Sequence, residues 1–548
     1  MTQQSEKLRI VMGQLNLLVG DVEGNVSKII SAAESARDEL HADVVLFPEL
    51  AMIGYPPEDL LLRSGLYERV AVGLSRLQRE IIGISVVVGH PHKVTGATYN
   101  ALSLIADGNI VVTSYKQCLP NYGVFDEQRY FVASDQSPAV VEVKGYKLGL
   151  LVCEDIWHSS PAEQAVKQGA ELLLVANASP YHLAKGDERI EVVRQRTAEV
   201  NCPIIYTNLV GGQDELVFDG GSFVVDAQGL LKQQVPFFEE GLFVAEFARS
   251  PDGIAALRGI CQPTYREERS IYRALVLGVR DYIEKNGFPG VVLGLSGGID
   301  SALTLSIAVD AIGAERVEAV MMPSRYTADM SLKDAAEEAK ILGVDYRVMS
   351  IEPLFNAFME SLADEFAGTQ VDTAEENIQA RCRGVLLMAI SNKKGKLVLT
   401  TGNKSEMAVG YATLYGDMAG GFSALKDVPK TLVYRLSEYR NTLSPVIPQR
   451  VIDRPPSAEL AEDQQDQDSL PPYDVLDAIL YRYVEQEQCV DEIIAGGFDG
   501  LTVKRVVRLV DLNEYKRRQA APGVKITQRA FGRDRRYPIT SAYNRLNR

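Results

Sequence analysis

The chain has 548 residues, too many for one hydrophobic core when single domains mostly run to ~50–250 residues, so at least two domains are expected. Hydrophobic residues make up 46% and charged residues 24%, with 44 glycines and 24 prolines, a globular balance that argues against disorder. A net charge of −16 disfavours nucleic acid as a partner, yet Leu501 to Arg548 holds 13 Lys and Arg against Asp511, Glu514 and Asp534, a local +10 that could bind anions.

The opening MTQQSEKLRIVMGQ lacks the apolar core of a secretion signal, and no uninterrupted apolar run approaches the ~20 residues of a membrane span. A cytoplasmic protein without a membrane partner is expected. Short apolar segments then recur: LRIVMGQLN, DVVLFPEL, ISVVVGH, NALSLIA, NIVVTSYK, YKLGLLVCED, ELLLVANAS, PIIYTNLVG and SFVVD. Several alternate or are β-branched, and helical stretches over 25–40 and 187–200 lie between them, which predicts a layered α/β domain over 1–250.

Three of these segments end in reactive side chains: FPEL carries Glu49, SYKQCLPNYGVFDEQRYF carries Lys116 and LGLLVCEDIW carries Cys153. Rigid strands aim the groups at their ends into a shared cleft. A thiol, a carboxylate and an ammonium meeting there would form a catalytic set, the carboxylate as base and the ammonium as oxyanion stabiliser. Taken singly each residue has a plainer reading, since a lone Cys in an apolar strand is usually a small core residue and a Glu or Lys usually a solvated charge. The other cysteines, at 118, 202, 261, 382 and 489, are scattered without a CxxC pair, which argues against a disulfide framework or a zinc site and fits a reducing compartment.

Taken together and in chain order, the three motifs resemble the nitrilase, or carbon–nitrogen hydrolase, superfamily over about the first 250 residues. The resemblance implies an α-β-β-α sandwich in which Glu49 is the general base, Lys116 the oxyanion stabiliser and Cys153 the nucleophile. It also makes Glu127, in GVFDEQRYF, a support for the lysine. Tyr122, in LPNYGVFDE, and Ser179 and Lys185, in NASPYHLAKGD, match positions that contact glutamine in the glutamine-hydrolysing branch. The implied reaction is attack of Cys153 on a side-chain amide, release of ammonia and hydrolysis of the thioester.

RSPDGIAALRGICQPTYREE, with two Pro and two Gly, marks a seam, and a linker is expected over 251–269 ahead of a second domain over 270–548. There a long helical stretch precedes VVLGL, VEAVMMP, DYRVMSI and KLVLTTG, strands separated by helical segments that predict a parallel sheet. Between the first strand and the next helix lies GLSGGIDSALT, residues 294–304. It is not a Walker A motif, because the only Lys between Asp300 and Asp334 is Lys333. The stretch 453–472, polar and acidic with prolines at both ends, reads as a long mobile loop, a kind of segment that often serves as a lid.

SGGIDS resembles the pyrophosphate loop of ATP pyrophosphatases, which implies a Rossmann-like, adenine nucleotide alpha hydrolase-like fold and cleavage of ATP between its α and β phosphates. Backbone N–H groups, small hydroxyls and a helix N-terminus would cradle a diphosphate, and Asp300 beside it implies a magnesium ion. TTGNKSEMAVGYATLYGDMAGGFSALKDVPK, ENIQARCRG and KRRQAAPGVKITQRAFGRDRRYPI extend the match to the nicotinamide adenine dinucleotide synthetase family. That resemblance gives ATP to Gly294, Leu295, Ser296, Gly297, Gly298, Ile299, Asp300, Ser301 and Thr401. It gives deamido-NAD to Asn377, Glu406 and Lys525, with Arg381 and Arg383 nearby. Magnesium falls to Asp300 and Glu406, and Lys426 and Lys430 would neutralise phosphates.

The halves complete one another, since an adenylated carboxylate needs a nucleophile and a glutaminase supplies ammonia. The resemblances together imply amidation of deamido-NAD with ATP and glutamine, coupled through a shielded passage for ammonia, in a homo-oligomer of two or more chains. A tRNA-modifying ATP pyrophosphatase would fit SGGIDS and the basic tail but has no use for Glu49, Lys116 and Cys153. A nucleotide-sensing scaffold with a degenerate hydrolase domain predicts loss of a triad member, and all three are present.

Overall fold

In the computed structural model residues 7–251, 253–461 and 464–543 are described. Arg545 and Arg548 of the basic tail, and positions 462 and 463 of the polar loop, lie outside the described residues. Every apolar segment picked out in the sequence becomes a strand, and the chain divides into two units, Met1–Tyr265 and Arg266–Arg548.

In the first unit a seven-stranded sheet runs in the order Gly253–Ala256, Gly241–Ser250, Leu8–Gln14, Val44–Leu46, Ser85–Val94, Ala97–Ala106, Asn109–Tyr115. A six-stranded sheet runs Leu231–Gln234, Phe223–Val225, Ile204–Asn208, Leu172–Asn177, Tyr146–Val152, Val140–Val143. Each sheet has a parallel centre and antiparallel flanks. Strand periodicity sends Leu8, Ile10 and Met12 of one sheet and Leu148, Leu150, Leu172 and Leu174 of the other into a single apolar cluster between them, all with 0% exposure. Burying each such side chain contributes about 1.5–3 kcal/mol.

The alternate faces are apolar too and are covered by helices. Val22–Asp38 and Ser64–Glu80 pack on the first sheet, and Ser159–Lys167 and Lys185–Val200 on the second, giving four layers. The helices expected over 25–40 and 187–200 are the first and last of these. Within 251–269, Gly253–Ala256 adds an edge strand to Gly241–Ser250, and a helix begins at Glu267.

The second unit holds a five-stranded, fully parallel sheet ordered Asp345–Val348, Val317–Met321, Val291–Gly294, Leu397–Thr400, Phe422–Ser423. Val291–Gly294, earliest in sequence, sits in the middle, with the next strand on one side and Leu397–Thr400 on the other. The strand order reverses there, which opens a crevice at the carboxyl ends. All six cysteines are free, and among the described residues no helix is long and apolar enough to cross a membrane.

Candidate active sites

Glu49 follows the strand Val44–Leu46, Lys116 follows Asn109–Tyr115 and Cys153 follows Tyr146–Val152, so three strand ends deliver them. Lys116 Nζ donates to Glu49 Oε1 at 2.7 Å and to Glu127 Oε1 at 2.9 Å. Asn100 Nδ2 donates to the same Glu49 oxygen at 2.7 Å, and the Ala178 backbone N–H reaches Glu49 Oε2 at 3.2 Å. Tyr55 OH donates to Glu127 Oε1 at 2.8 Å. Burial opposes charge on Lys116, but Glu127 and Glu49 together hold its pKa well above the ordinary lysine value. The ammonium persists in a water-poor site, where its field is strongest.

Cys153 has φ +44° and is buried. A non-glycine residue held in the left-handed region is strained and marks a turn imposed by its surroundings. Burial pushes its thiol well up, Glu49 adds to this and Lys116 opposes it. The resting group is therefore a thiol that needs a base at the moment of attack, and Glu49 is the neighbouring carboxylate that can serve. Asp155 staples the arrangement, accepting from the backbone N–H groups of Gln117 at 3.0 Å, Cys118 at 2.9 Å and Val152 at 3.1 Å. It thereby locks the chain after Lys116 to the turn that carries Cys153.

The other residues expected around this site are less uniform. Tyr122 is 58% exposed, and its OH donates to both Glu154 oxygens at 3.1 Å. Lys185 Nζ lies 4.0 Å from the centre of the Trp157 ring and donates to Glu188 Oε2 at 3.0 Å. Ser179 is buried at the end of the strand Leu172–Asn177, its Oγ accepting from Arg189 Nε at 3.0 Å. Tyr55, Asn100, Glu154, Asp155 and Arg189 escaped the sequence reading. CED contains two of them in plain view and Arg189 lies on the helix expected over 187–200, while Tyr55 and Asn100 reach the site only through long-range packing.

In the second unit a cavity of about 520 Å³ opens at the strand-order reversal. It is lined by all of 294–301 except Gly297, and by Thr401, Asn377 and Glu406. The helix Ile299–Ile312 begins at the loop with no side-chain cap, so its first amides are available to an anion. Ser301 Oγ donates to Gly298 O at 2.9 Å, and the hydroxyls of Ser296 and Ser301 are 3.0 Å apart.

Asn403 caps the helix Lys404–Val409 by accepting from Glu406 N at 3.0 Å, while Glu406 Oε2 accepts from Asn403 N at 3.2 Å. Asn403 Nδ2 also donates to Asp300 Oδ1 at 2.9 Å. Lys430 Nζ binds Asp300 Oδ2 and lies 3.5 Å from Glu406 Oε1. Burial and the Asp300 charge push Glu406 up to about 8. The hard oxygens of Asp300 and Glu406 suit magnesium, and a cation between them would relieve the repulsion that raises Glu406. Arg383 lines the cavity and donates to Met322 O at 3.0 Å, whereas exposed Arg381 donates to Leu414 O at 3.3 Å.

Lys525 does not line this cavity. It donates to the carbonyls of Thr527 at 2.6 Å and Gln528 at 3.0 Å and pairs with Asp534 at 3.1 Å. Lys426 is likewise buried outside the lining. The polar loop 453–472 is packed on the cavity: Pro455–Leu460, Gln464 and Asp466 line it, and Gln379 Nε2 donates to Leu460 O at 2.9 Å.

Two family models match, described as Carbon-nitrogen hydrolase over 9–251 and NAD synthase over 271–520. The chain is 52% identical over 540 residues to the glutamine-dependent NAD(+) synthetase of Xanthomonas campestris pv. campestris (strain 8004), with 98% of each chain covered. It is 49% identical over 547 residues to that of Acinetobacter baylyi, covering 98% of this chain and 99% of the other. The solved structure of glutamine-dependent NAD+ synthetase from Acinetobacter baumannii in complex with adenosine diphosphate matches with TM-score 0.80 and 48% identity, over 97% of this chain and 98% of that one.

Proposed function

The chain belongs to the glutamine-dependent NAD(+) synthetases, and from that premise we propose how its own residues divide the reaction deamido-NAD + ATP + glutamine + water to NAD + AMP + diphosphate + glutamate. The observation that carries the reading is the Lys116 ammonium held between Glu49 and Glu127 beside the Cys153 thiol.

In the first unit Glu49 takes the Cys153 proton as the sulfur attacks the glutamine side-chain carbonyl, and Lys116 stabilises the oxyanion. The proton then passes from Glu49 to the leaving nitrogen, and ammonia departs. Water, deprotonated by the same carboxylate, cleaves the thioester to glutamate and restores the thiol. Glu127, bonded to Tyr55 and Lys116, fixes the ammonium. Glutamine brings an α-ammonium and an α-carboxylate, and Glu154 with Tyr122, and Lys185 with Ser179, offer groups of matching charge and polarity.

In the second unit the uncapped helix start and the loop hydroxyls hold the ATP phosphates, Thr401 the nucleotide, and Asn377 and Glu406 the deamido-dinucleotide. Asp300 and Glu406 would hold magnesium, which when bound neutralises phosphate charge. Lys430 adds a fixed cation as the nicotinate carboxylate is adenylated and diphosphate leaves. Ammonia in bulk water at neutral pH is mostly protonated and not nucleophilic, so its transfer is shielded in this reading.

The test is product analysis of parent and Cys153→Ala with ATP, magnesium and deamido-NAD, given either glutamine or an ammonium salt. The variant is expected to lose glutamine-driven NAD formation and keep ammonium-driven NAD and AMP formation. Glutamine use by the variant would remove Cys153 from the role given to it.

A further inference from the structure

Arg189, on the helix Lys185–Val200, is 2% exposed, and its bonds converge on the chain that leaves the strand Leu172–Asn177. Nε donates to Ser179 Oγ at 3.0 Å. Nη2 donates to Ser179 O at 2.8 Å and Pro180 O at 3.1 Å. Nη1 pairs with Asp219 Oδ1 at 2.7 Å, a carboxylate as buried as the arginine, so the charge is balanced inside the fold. The Ser179 backbone is held independently, its N–H donating to Asn208 Oδ1 at 2.9 Å and its carbonyl accepting from Asn208 Nδ2 at 3.2 Å. The contact that Arg189 alone makes to Ser179 beyond the backbone is therefore the one to the hydroxyl.

We infer that Arg189 is a positioning residue for glutamine binding, acting through the Ser179 hydroxyl. A guanidinium has donors and no acceptor, so Oγ meets it as an acceptor and keeps its own proton to give to a second partner. The buried Tyr206 hydroxyl interacts with Ser179 and competes for that proton inside the fold, and a substrate oxygen, from the carboxylate or the amide of glutamine, is the partner that would take it in its place. The fork also fixes where Oγ stands, because Nε and Nη2 grip the hydroxyl and the two carbonyls as one rigid plane. Lysine in its place would keep the charge opposite Asp219 but has no planar fork to hold Oγ and the carbonyls together. The inference rests on the reading that Ser179 contacts glutamine.

The experiment is a double-mutant cycle on the full chain: parent, Ser179→Ala, Arg189→Lys and the double variant, with kcat and KM for glutamine normalised to the ammonium-driven rate of the same preparation. Each single variant is expected to raise KM for glutamine about 10-fold or more, and the double to match the larger single within about 2-fold. A misfolded fraction lowers kcat and leaves KM where it was, so the split separates positioning from stability. If Ser179→Ala raises KM while Arg189→Lys leaves it within about 2-fold of the parent, or the two effects multiply, the inference falls alone. If Ser179→Ala leaves KM unchanged, the glutamine contact given to Ser179 falls and takes the inference with it.

Discussion

Lys116 and Glu49 form an ion pair at 2.7 Å with neither side chain exposed, and the same Glu49 oxygen takes the Asn100 amide. One carboxylate thus orients the ammonium and, in the proposed reading, also serves as base toward Cys153. Glu49→Gln keeps the shape and removes the basicity. Glutamine-driven NAD formation is expected to fall by about 10²–10⁴-fold, the usual contribution of a general base, while ammonium-driven formation persists. Comparing the two rates on one preparation checks it.

Gly297 has φ +79°, and a Cβ built on it would lie 2.3 Å from Ser331 O. Backbone meets backbone there, so no side-chain movement relieves the clash, and the conformation itself disfavours any other residue. Gly297→Ala is expected to displace the loop that is proposed to hold the ATP phosphates. AMP formation should drop at least 10-fold with either nitrogen source, in contrast to the source-dependent effect at Glu49. Diphosphate release measured with ammonium reads this directly.

These two positions also mark what was legible in the sequence. Glu49, Lys116 and Cys153 stand where apolar strand segments stop, and Gly297 lies in a glycine loop between a strand and a helix, patterns that local reading captures. Asn100 and Tyr55 touch the same carboxylates, but from 51 and 72 residues away along the chain, and nothing local to them signals the contact. The strand Gly241–Ser250 is not legible locally because its partner, Leu8–Gln14, lies at the other end of the unit, and Gly253–Ala256 is a short edge strand that pairs with Gly241–Ser250 in turn. In the basic tail, charge was read without its partners. Arg517 and Arg535 both bond Glu514 and pack on Phe531, and Lys525 pairs with Asp534. Much of that positive charge holds the tail together.

Glu338 gives a prediction about stability. It is 1% exposed, it accepts from the Ser306 hydroxyl at 3.4 Å, and burial pushes its carboxyl from 4.5 up to about 8. The folded pKa lies above the unfolded one, so the folded state binds the proton more tightly. Its contribution is fully present below pH 4.5 and is lost as pH rises through 8. Glu338→Gln should match the parent near pH 4.5 and exceed it by about 3 kcal/mol at pH 7. Denaturant midpoints at several pH values, followed on the transition of the second unit, test the sign. A variant that loses stability at pH 7 contradicts it.

Arg454 ties the polar loop to the glycine-rich loop 294–301. Its Nη2 donates to Gly297 O at 2.5 Å and its Nη1 to Ser331 Oγ at 2.9 Å, while Ser331 Oγ donates to Glu459 Oε1 at 2.6 Å. Both the root and the body of the loop are thus anchored on elements beside the cavity proposed for ATP, and Arg454 itself lines that cavity. Arg454→Ala removes the anchor and a cation together, whereas Arg454→Gln can retain a hydrogen bond to Gly297 O without the charge. If anchoring dominates, Gln should recover much of the KM for ATP that Ala loses; if charge at the phosphates dominates, Ala and Gln should be equally impaired, by about 10-fold or more. In either case the effect must be the same with glutamine and with ammonium, because the nucleotide half-reaction is shared. Limited proteolysis without nucleotide adds a readout independent of activity: cleavage within 455–461 should be faster in Ala than in Gln when the anchor is what the arginine provides.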